Sequence, residues 1–348
     1  MSVPEPAPRQ PAGDRAPSAR ALRGGGLRLA LAGTILVGLG FATYLAAIAL
    51  SVLRLVVWRS PDAAALVARL LWYSGAPTSA GLLLIAADLL VLLPRKRRHE
   101  RRIETGEPAP RSLTVALTSY NDEASIAQAV RDFREHPLID RVIVVDNNSR
   151  DRSAAVAAGA GAEVVVETRP GYGSCVYRCL RELHARSDAE FVVLCEGDMT
   201  FRARDVEKLA AFAPHADVVN GTRIVEQLRA YDTQLSTFMF YGNFAVGKLL
   251  EIKHLGQGTF TDVGTTFKLI RRDILPDLLS DLDPSVNLEF NAYFMDRVLS
   301  LGYLMMECPV TFHRRVGVSK GGNVSNWRAL RVGTRMILGL LAGWPLVR

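Results

Sequence analysis

The chain has 348 residues, 49 % of them apolar and 22 % charged, with a formal net charge of +7. It is long enough for one sizeable domain with its own core, and the composition excludes a wholly disordered or collagen-like chain. Its four cysteines lack paired spacing, which argues against a disulfide-stapled scaffold; Cys175 and Cys179, one helical turn apart, do not read as a metal site.

Residues 1–26 are rich in Pro, Ala, Gly and Arg and almost devoid of large apolar side chains, so they read as a disordered basic tail. Residues 27–94 read as two transmembrane helices. Leu29 to Val56 runs without a charge until Arg54, enough to cross about 30 Å of hydrocarbon. Ala63 to Leu93 is interrupted by Arg69, Gly75, Pro77 and Asp88, which predicts a kinked or tilted second span. The first apolar run is too long for a signal peptide, and no small-residue cleavage site follows it. Arg9, Arg15, Arg20, Arg23 and Arg28 precede the first span; Arg95, Lys96, Arg97, Arg98, Arg101 and Arg102 follow the second. The loop between them has little more than Arg59. This bias predicts a hairpin in the cell membrane with both ends, and the domain that follows, in the cytoplasm. The flanking charge favours anionic lipid over nucleic acid as a partner.

After a basic juxtamembrane linker, 95–111, the pattern becomes one of alternating strands and helices. Strands are expected at Leu113–Leu117, Arg141–Val145, Glu163–Val166 and Phe191–Cys195, and helices at Glu123–Phe133, Asp151–Ala158 and Ser174–His184. Uniformly apolar strands separated by helices indicate a mainly parallel sheet covered on both faces. Ligands bind such sheets at the carboxyl ends of the strands. Four polar segments occupy those ends: 118–122, 146–149, 169–173 and 196–198.

These segments resemble family 2 glycosyltransferases. Leu-Thr-Val-Ala-Leu-Thr-Ser-Tyr-Asn-Asp-Glu at 113–123 looks like that family's opening strand, with Thr118 in place of Pro and Asp122 in place of Glu. Val-Val-Asp-Asn-Asn-Ser-Arg-Asp at 144–151 is similar to its Val-Asp-Asp-x-Ser-x-Asp segment, with Asn147 in place of the second Asp. Gly171-Tyr172-Gly173-Ser174 resembles the turn before its third helix, and Glu196-Gly197-Asp198 sits where the Asp-x-Asp metal motif belongs. Asp262 to Phe267 resembles the acceptor-side strand. Glu307-Cys308-Pro309-Val310 followed by Arg314-Arg315-Val316-Gly317-Val318-Ser319-Lys320 resembles the ending of polyprenyl-phosphate sugar synthases of the dolichol-phosphate mannose type. The resemblance implies a GT-A-type, Rossmann-like α/β domain over 112–320.

It also implies roles. Expelling a nucleoside diphosphate calls for a hard dication, Mg²⁺ or Mn²⁺, with Asp198 and Glu196 as its expected ligands. Asp146 resembles the carboxylate that reads the nucleobase, and Thr118, Tyr120, Asp122, Gly171 and Gly173 complete the nucleotide-sugar side. The two glycines read more simply as turn formers. Glu289 lies near the position that serves as base when the acceptor is a hydroxyl, with Asp296 as the runner-up. A phosphate acceptor needs cations instead, and Arg314, Arg315 and Lys320 supply them. His313 reads as a packing or hydrogen-bonding residue.

Trp327 to Trp344 interleaves arginines with apolar residues, which predicts an amphipathic interfacial helix within 321–348. The expectation is therefore inverting transfer of one sugar from a UDP- or GDP-linked donor to a membrane polyprenyl phosphate. Transfer to a hydroxyl of a glycolipid or small metabolite, and an inactive membrane scaffold, are the alternatives.

Overall fold

The computed structural model describes residues 28–56, 60–96, 110–317 and 325–344. The tail at 1–26, most of the 95–111 linker and Lys320 lie outside the described residues. Two long helices come first, α1 (Leu29–Val56) and α2 (Pro61–Ala87). Both are long and apolar enough to cross a membrane. Small residues let them meet at backbone distance: a Cβ added at Gly33 would stand 2.5 Å from the Gly81 carbonyl oxygen, and one at Gly40 2.7 Å from that of Ser74. Ser60 caps α2, its Oγ accepting from the Ala63 amide at 3.1 Å.

The expected irregularity of the second span is displaced. The α-helix runs on through Gly75 and Pro77 and gives way only at Asp88–Leu92, a π turn that leads into α3 (Leu93–Lys96). Asp88 is 1 % exposed, and its carboxylate accepts from the Ala30 amide at 2.8 Å. The acid that interrupts the apolar run thus caps the otherwise unsatisfied first turn of α1.

The following domain alternates as expected: β1 (Leu113–Ser119), α4 (Ile126–Arg134), β2 (Ile139–Asp146), α5 (Ser153–Gly159), β3 (Glu163–Val166), α6 (Tyr172–Arg186), β4 (Phe191–Glu196) and α7 (Val206–Phe212). Then come β5 (Val218–Thr222), α8 (Thr237–Lys253), β6 (Lys268–Arg271), α9 (Leu275–Asp281), α10 (Phe290–Ser300), β7 (Met305–Pro309) and α11 (Asn326–Ala342). The seven strands form one sheet in the order β3-β2-β1-β4-β6-β5-β7. Strands β1 to β4 pair in parallel, as do β5 and β7; β6 alone runs antiparallel to its neighbours. This is the mainly parallel, GT-A-type α/β sheet.

Strand alternation sends side chains into two cores. Ala116, Ile143, Val192 and Leu194 pack on the face covered by α6, α9, α10 and α11, while Val115, Val142, Val144 and Val193 pack against α4 and α7. One element departs from expectation. Asp262 to Phe267 is irregular backbone rather than a strand, and the sheet resumes only at Lys268. The C-terminal helix begins at Asn326, with Ser325 capping the Arg328 amide, and packs on α8 and α10. All four cysteines are buried and free.

Candidate active site

The parallel strands β1, β2 and β4 end side by side, so their polar turns converge at one edge of the sheet. Among the described residues only Asn121, Asn148 and Met199 have positive φ without being glycine, at 51°, 56° and 67°. Each lies in one of these three turns. Strain gathered at one edge is the signature of a site held in shape by its surroundings.

At the end of β1, Thr118 and Asp122 are buried and Tyr120 is largely exposed. Asp122 accepts from the Tyr120 amide at 3.0 Å, while its own amide donates to Ser153 Oγ at 2.7 Å. At the end of β2, Asp146 is buried and accepts from Ser149 twice, from its amide at 2.9 Å and its hydroxyl at 2.5 Å. Asn147 ties the next turn down: its amide nitrogen donates to the Arg169 carbonyl at 2.7 Å and its oxygen accepts from the Gly171 amide at 3.0 Å.

The two glycines before α6 serve this turn. Gly171 has φ 122°, a conformation that excludes a side chain at little cost only for glycine. At Gly173 a Cβ would stand 1.7 Å from the Val286 carbonyl oxygen, so the helix start can approach that loop only without one. The Tyr172 amide donates to Asn287 Oδ1 at 2.7 Å. Both glycines thus hold α6 against the 286–287 segment.

At the end of β4, Glu196 and Asp198 flank Gly197. Asp198 is 2 % exposed. One of its oxygens accepts from the amide and hydroxyl of Thr200 at 3.0 and 2.5 Å. The other meets Arg315 Nη1 at 2.9 Å, and Arg315 Nη2 donates to Asp122 at 2.8 Å. One guanidinium therefore bridges the ends of β1 and β4. Arg315, expected with Arg314 and Lys320 at an acceptor phosphate, thus has its two Nη atoms on the carboxylates of Asp122 and Asp198. Glu196 accepts from Thr266 Oγ1 at 2.8 Å. Thr266 is in turn bonded to the Tyr172 hydroxyl, to which Asn291 Nδ2 donates at 2.9 Å. Burial, and then the Asp198 charge, push the Glu196 carboxyl up to about 7.

A second buried layer lies behind. Arg223 Nε and Nη2 donate to the two oxygens of Asp262 at 2.7 and 2.8 Å. Glu307 accepts from the Thr261 and Asp262 amides at 2.8 and 3.0 Å, yet burial pushes it up to about 7. Lys268 is fully buried, donates to the Thr265 carbonyl, and is pulled down to about 7 by burial. The irregular Asp262–Phe267 backbone is fixed by these groups rather than by sheet pairing.

The two candidate bases differ. Glu289 is buried at the start of α10; its Oε1 has no hydrogen bond and lies 3.5 Å from Arg335 Nη1 of α11. Asp296 is buried. It accepts from Lys253 Nζ at 3.0 Å, Trp344 Nε1 at 2.8 Å and bonds His254 Nε2 at 2.7 Å. Burial opposes its ionisation, but the His254 hydrogen bond and the Lys253 charge outweigh it and hold the carboxyl down at about 2. Asp296 is a structural ion-pair centre joining α8, α10 and the C-terminal segment.

Arg314 is exposed and, with Arg315, Val316 and Gly317, borders a cleft of about 610 Å³ closed on its other side by Asp232, Thr233 and Gln234. Among the described residues no cluster of three or more His, Cys, Asp and Glu side chains forms a ready-made metal cage. Glu196 and Asp198 nevertheless make a donor set that fits a hard dication. Burial, and then the charge of Asp198, raise the proton affinity of Glu196, and Mg²⁺ ordinarily takes one or two carboxylates plus substrate phosphates and water. Arg223 and Asn291 lie outside the segments read from the sequence, and Tyr172 and Thr266 lie inside two of them without an expected role of their own. Their contacts span up to 119 positions, and no local spacing signals them.

The glycosyl transferase family 2 model matches residues 114–279. An uncharacterized glycosyltransferase of Mycobacterium tuberculosis is 39 % identical over 113 residues, covering 32 % of this chain and 49 % of that protein. Protein RfbJ of Shigella flexneri is 31 % identical over 98 residues, covering 28 % of this chain and 73 % of its own. A dolichyl-phosphate hexose transferase of Haloferax volcanii is 27 % identical over 215 residues, covering 60 % of this chain and 86 % of that protein. The chain spans about half the length of the mycobacterial relatives it matches.

Proposed function

Because the chain belongs to glycosyl transferase family 2, we propose that it transfers one hexosyl unit, with inversion, from a nucleotide-sugar to a membrane polyprenyl phosphate. The observation that carries this reading is the position of Arg314 and Arg315. They border an open cleft, and Arg315 also reaches Asp198 at 2.9 Å. Cations between a donor-side carboxylate and a cleft suit an acceptor that arrives already ionised. The match to a dolichyl-phosphate hexose transferase supports the same acceptor class.

In this reading Tyr120 and Asp146 bind the nucleoside of a UDP- or GDP-linked donor. Asp198 and Glu196 hold Mg²⁺ or Mn²⁺, which supplies Lewis-acid neutralisation of the diphosphate as it leaves. Arg315 keeps Asp122 and Asp198 in register, and Arg314 with Lys320 attracts the lipid phosphate. That phosphate oxygen attacks the anomeric carbon from the face opposite the departing diphosphate. No proton need be removed, so no strong base is required. The hairpin α1–α2 spans the membrane, with the cytoplasmic domain beside it, where a lipid acceptor is presented.

A second reading, transfer to a hydroxyl with Glu289 as base, is favoured by the buried Glu289 Oε1, which lacks a hydrogen bond. Purified full-length protein in lipid, given a panel of nucleotide-sugars and polyprenyl phosphate with and without EDTA, tests the proposal. Lipid-linked product from one donor, lost with EDTA, is expected; no product from any donor overturns it. Glu289→Gln separates the readings. It abolishes turnover if a hydroxyl is the acceptor, whereas with phosphate the greater losses fall on substitutions at Arg315 and Lys320.

A further inference from the structure

Helix α8 (Thr237–Lys253) has a buried face made by Val246, Gly247, Leu250 and Lys253. Its other face carries Phe238, Tyr241 and Phe244, exposed by 45, 65 and 39 %. Positions 238, 241 and 244 fall within about a third of the helix circumference at 3.6 residues per turn. The Gly242 and Ala245 between them are also exposed, and no charged residue occurs before Lys248. Three aromatic rings on this face are costly in water, by roughly 25 cal/mol for each Å² left exposed; charge enters only at its C-terminal edge, where Lys248 holds its Nζ 5.4 Å over the Phe244 ring and pairs with Glu251. Tyr231, wholly exposed just before the helix, adds a fourth ring.

Two neighbours indicate what covers this face. Helix α8 packs against α1, the first candidate membrane span, and against α11. At the C-terminal end of α8, Lys253 and His254 feel the charge of Arg28, the residue just before α1. The C-terminal end of α8 therefore lies close to the start of α1. Helix α11 presents its own exposed Trp327, Leu330, Ile337 and Leu338, in a helix that also carries Arg328 and Arg331. Aromatic residues favour the headgroup level of a bilayer, and arginines favour its anionic lipids.

We infer that α8 is an interfacial helix whose Phe238–Tyr241–Phe244 face inserts at headgroup depth into the leaflet where α1 begins, forming one lipid-seated platform with α11. The inference rests on the reading of α1–α2 as a membrane hairpin. The occupant is the lipid surface, not a protein. With three contacts to membrane, α1–α2, α8 and α11, the cleft edge at Arg314 is held at a fixed height above the bilayer.

The buried state of the four native cysteines permits a direct test. Full-length protein with Tyr241→Cys is labelled with an environment-sensitive fluorophore and reconstituted in vesicles containing phosphatidylglycerol. Leu45→Cys, exposed on α1, reports the span, and Asp188→Cys, exposed before β4 at the opposite end of the strands, reports water. The expected result is several-fold stronger quenching at 241 than at 188 by lipids carrying a nitroxide near the headgroup, with the reverse order for aqueous iodide. Iodide quenching at 241 equal to that at 188, with 45 still quenched by lipid, overturns the inference and leaves the hairpin standing. Shielding of 241 from both quenchers means protein covers the face and overturns it too. If 45 is quenched by iodide as well, the hairpin itself is wrong.

Discussion

Arg315 joins carboxylates from two strand ends, Asp122 after β1 and Asp198 after β4, with separate nitrogens. A lysine carries the charge but not the planar fork, so it cannot satisfy both. Arg315→Lys is expected to lower kcat/KM by about tenfold to a hundredfold, the worth of one charge-assisted hydrogen bond at roughly 1.5–3 kcal/mol. Steady-state kinetics with unchanged circular dichroism checks it; wild-type kinetics would remove Arg315 from the site. Asp198→Asn keeps the side-chain shape but loses the charge that in the proposed function holds the dication. Turnover should fall on the order of 100-fold or more, with a matching loss of Mn²⁺ binding measured by paramagnetic relaxation without substrate turnover.

At the scale of elements, two features place the site and each can be probed by stability. Gly173 lets α6 approach the Val286 carbonyl, where a Cβ would stand at 1.7 Å. Gly173→Ala should cost about 1–3 kcal/mol as backbone shifts to relieve the overlap, read as a lower midpoint in chemical denaturation. Asp296 holds α8, α10 and Trp344 together, and its carboxyl lies at about 2 against an ordinary 3.8. A group with a depressed folded-state pKa stabilises above its unfolded value and loses that contribution as pH falls through the folded one. The Asp296 contribution is therefore complete above pH 4 and is lost between pH 4 and 2. Asp296→Ala leaves Lys253 buried without its partner and should cost roughly 3–5 kcal/mol at pH 7. Its deficit should shrink below pH 4 in thermal unfolding; a pH-independent deficit would contradict the ion-pair account.

The same elements show what local pattern conveys. Strands β1 to β4 and their helices follow from apolar runs punctuated by polar turns, and Glu163–Val166 matches β3 residue for residue. The second half was harder. Helix α8 begins with Ser236, whose hydroxyl accepts from Met239 N at 3.3 Å, a capping signal present in the sequence. Its aromatic exposed face, however, disguises the two-sided pattern expected of a helix in water. Asp262–Phe267 is expected as a strand from the family resemblance; a buried ion pair to Arg223, 39 positions away, claims its backbone instead. Asp88 interrupts an apolar run in the sequence but closes a cap in space. In each case the deciding partner is distant in the chain.

At the scale of the molecule, an apolar hairpin, a domain with its site at one sheet edge, and two helices with exposed apolar faces define a single arrangement. In the proposed function this arrangement turns the site toward a lipid-borne acceptor, with donor carboxylates at Asp146, Glu196 and Asp198 and cations at Arg314 and Arg315. Phosphate on the acceptor is the feature on which the proposed function turns. The most direct measurement gives the reconstituted protein its preferred nucleotide-sugar together with either polyprenyl phosphate or the same polyprenol lacking phosphate, and identifies products by mass spectrometry. The account predicts a sugar–phosphate–lipid product from the first and none from the second. Equal transfer to the polyprenol would contradict it and move the chemistry to a hydroxyl activated at Glu289.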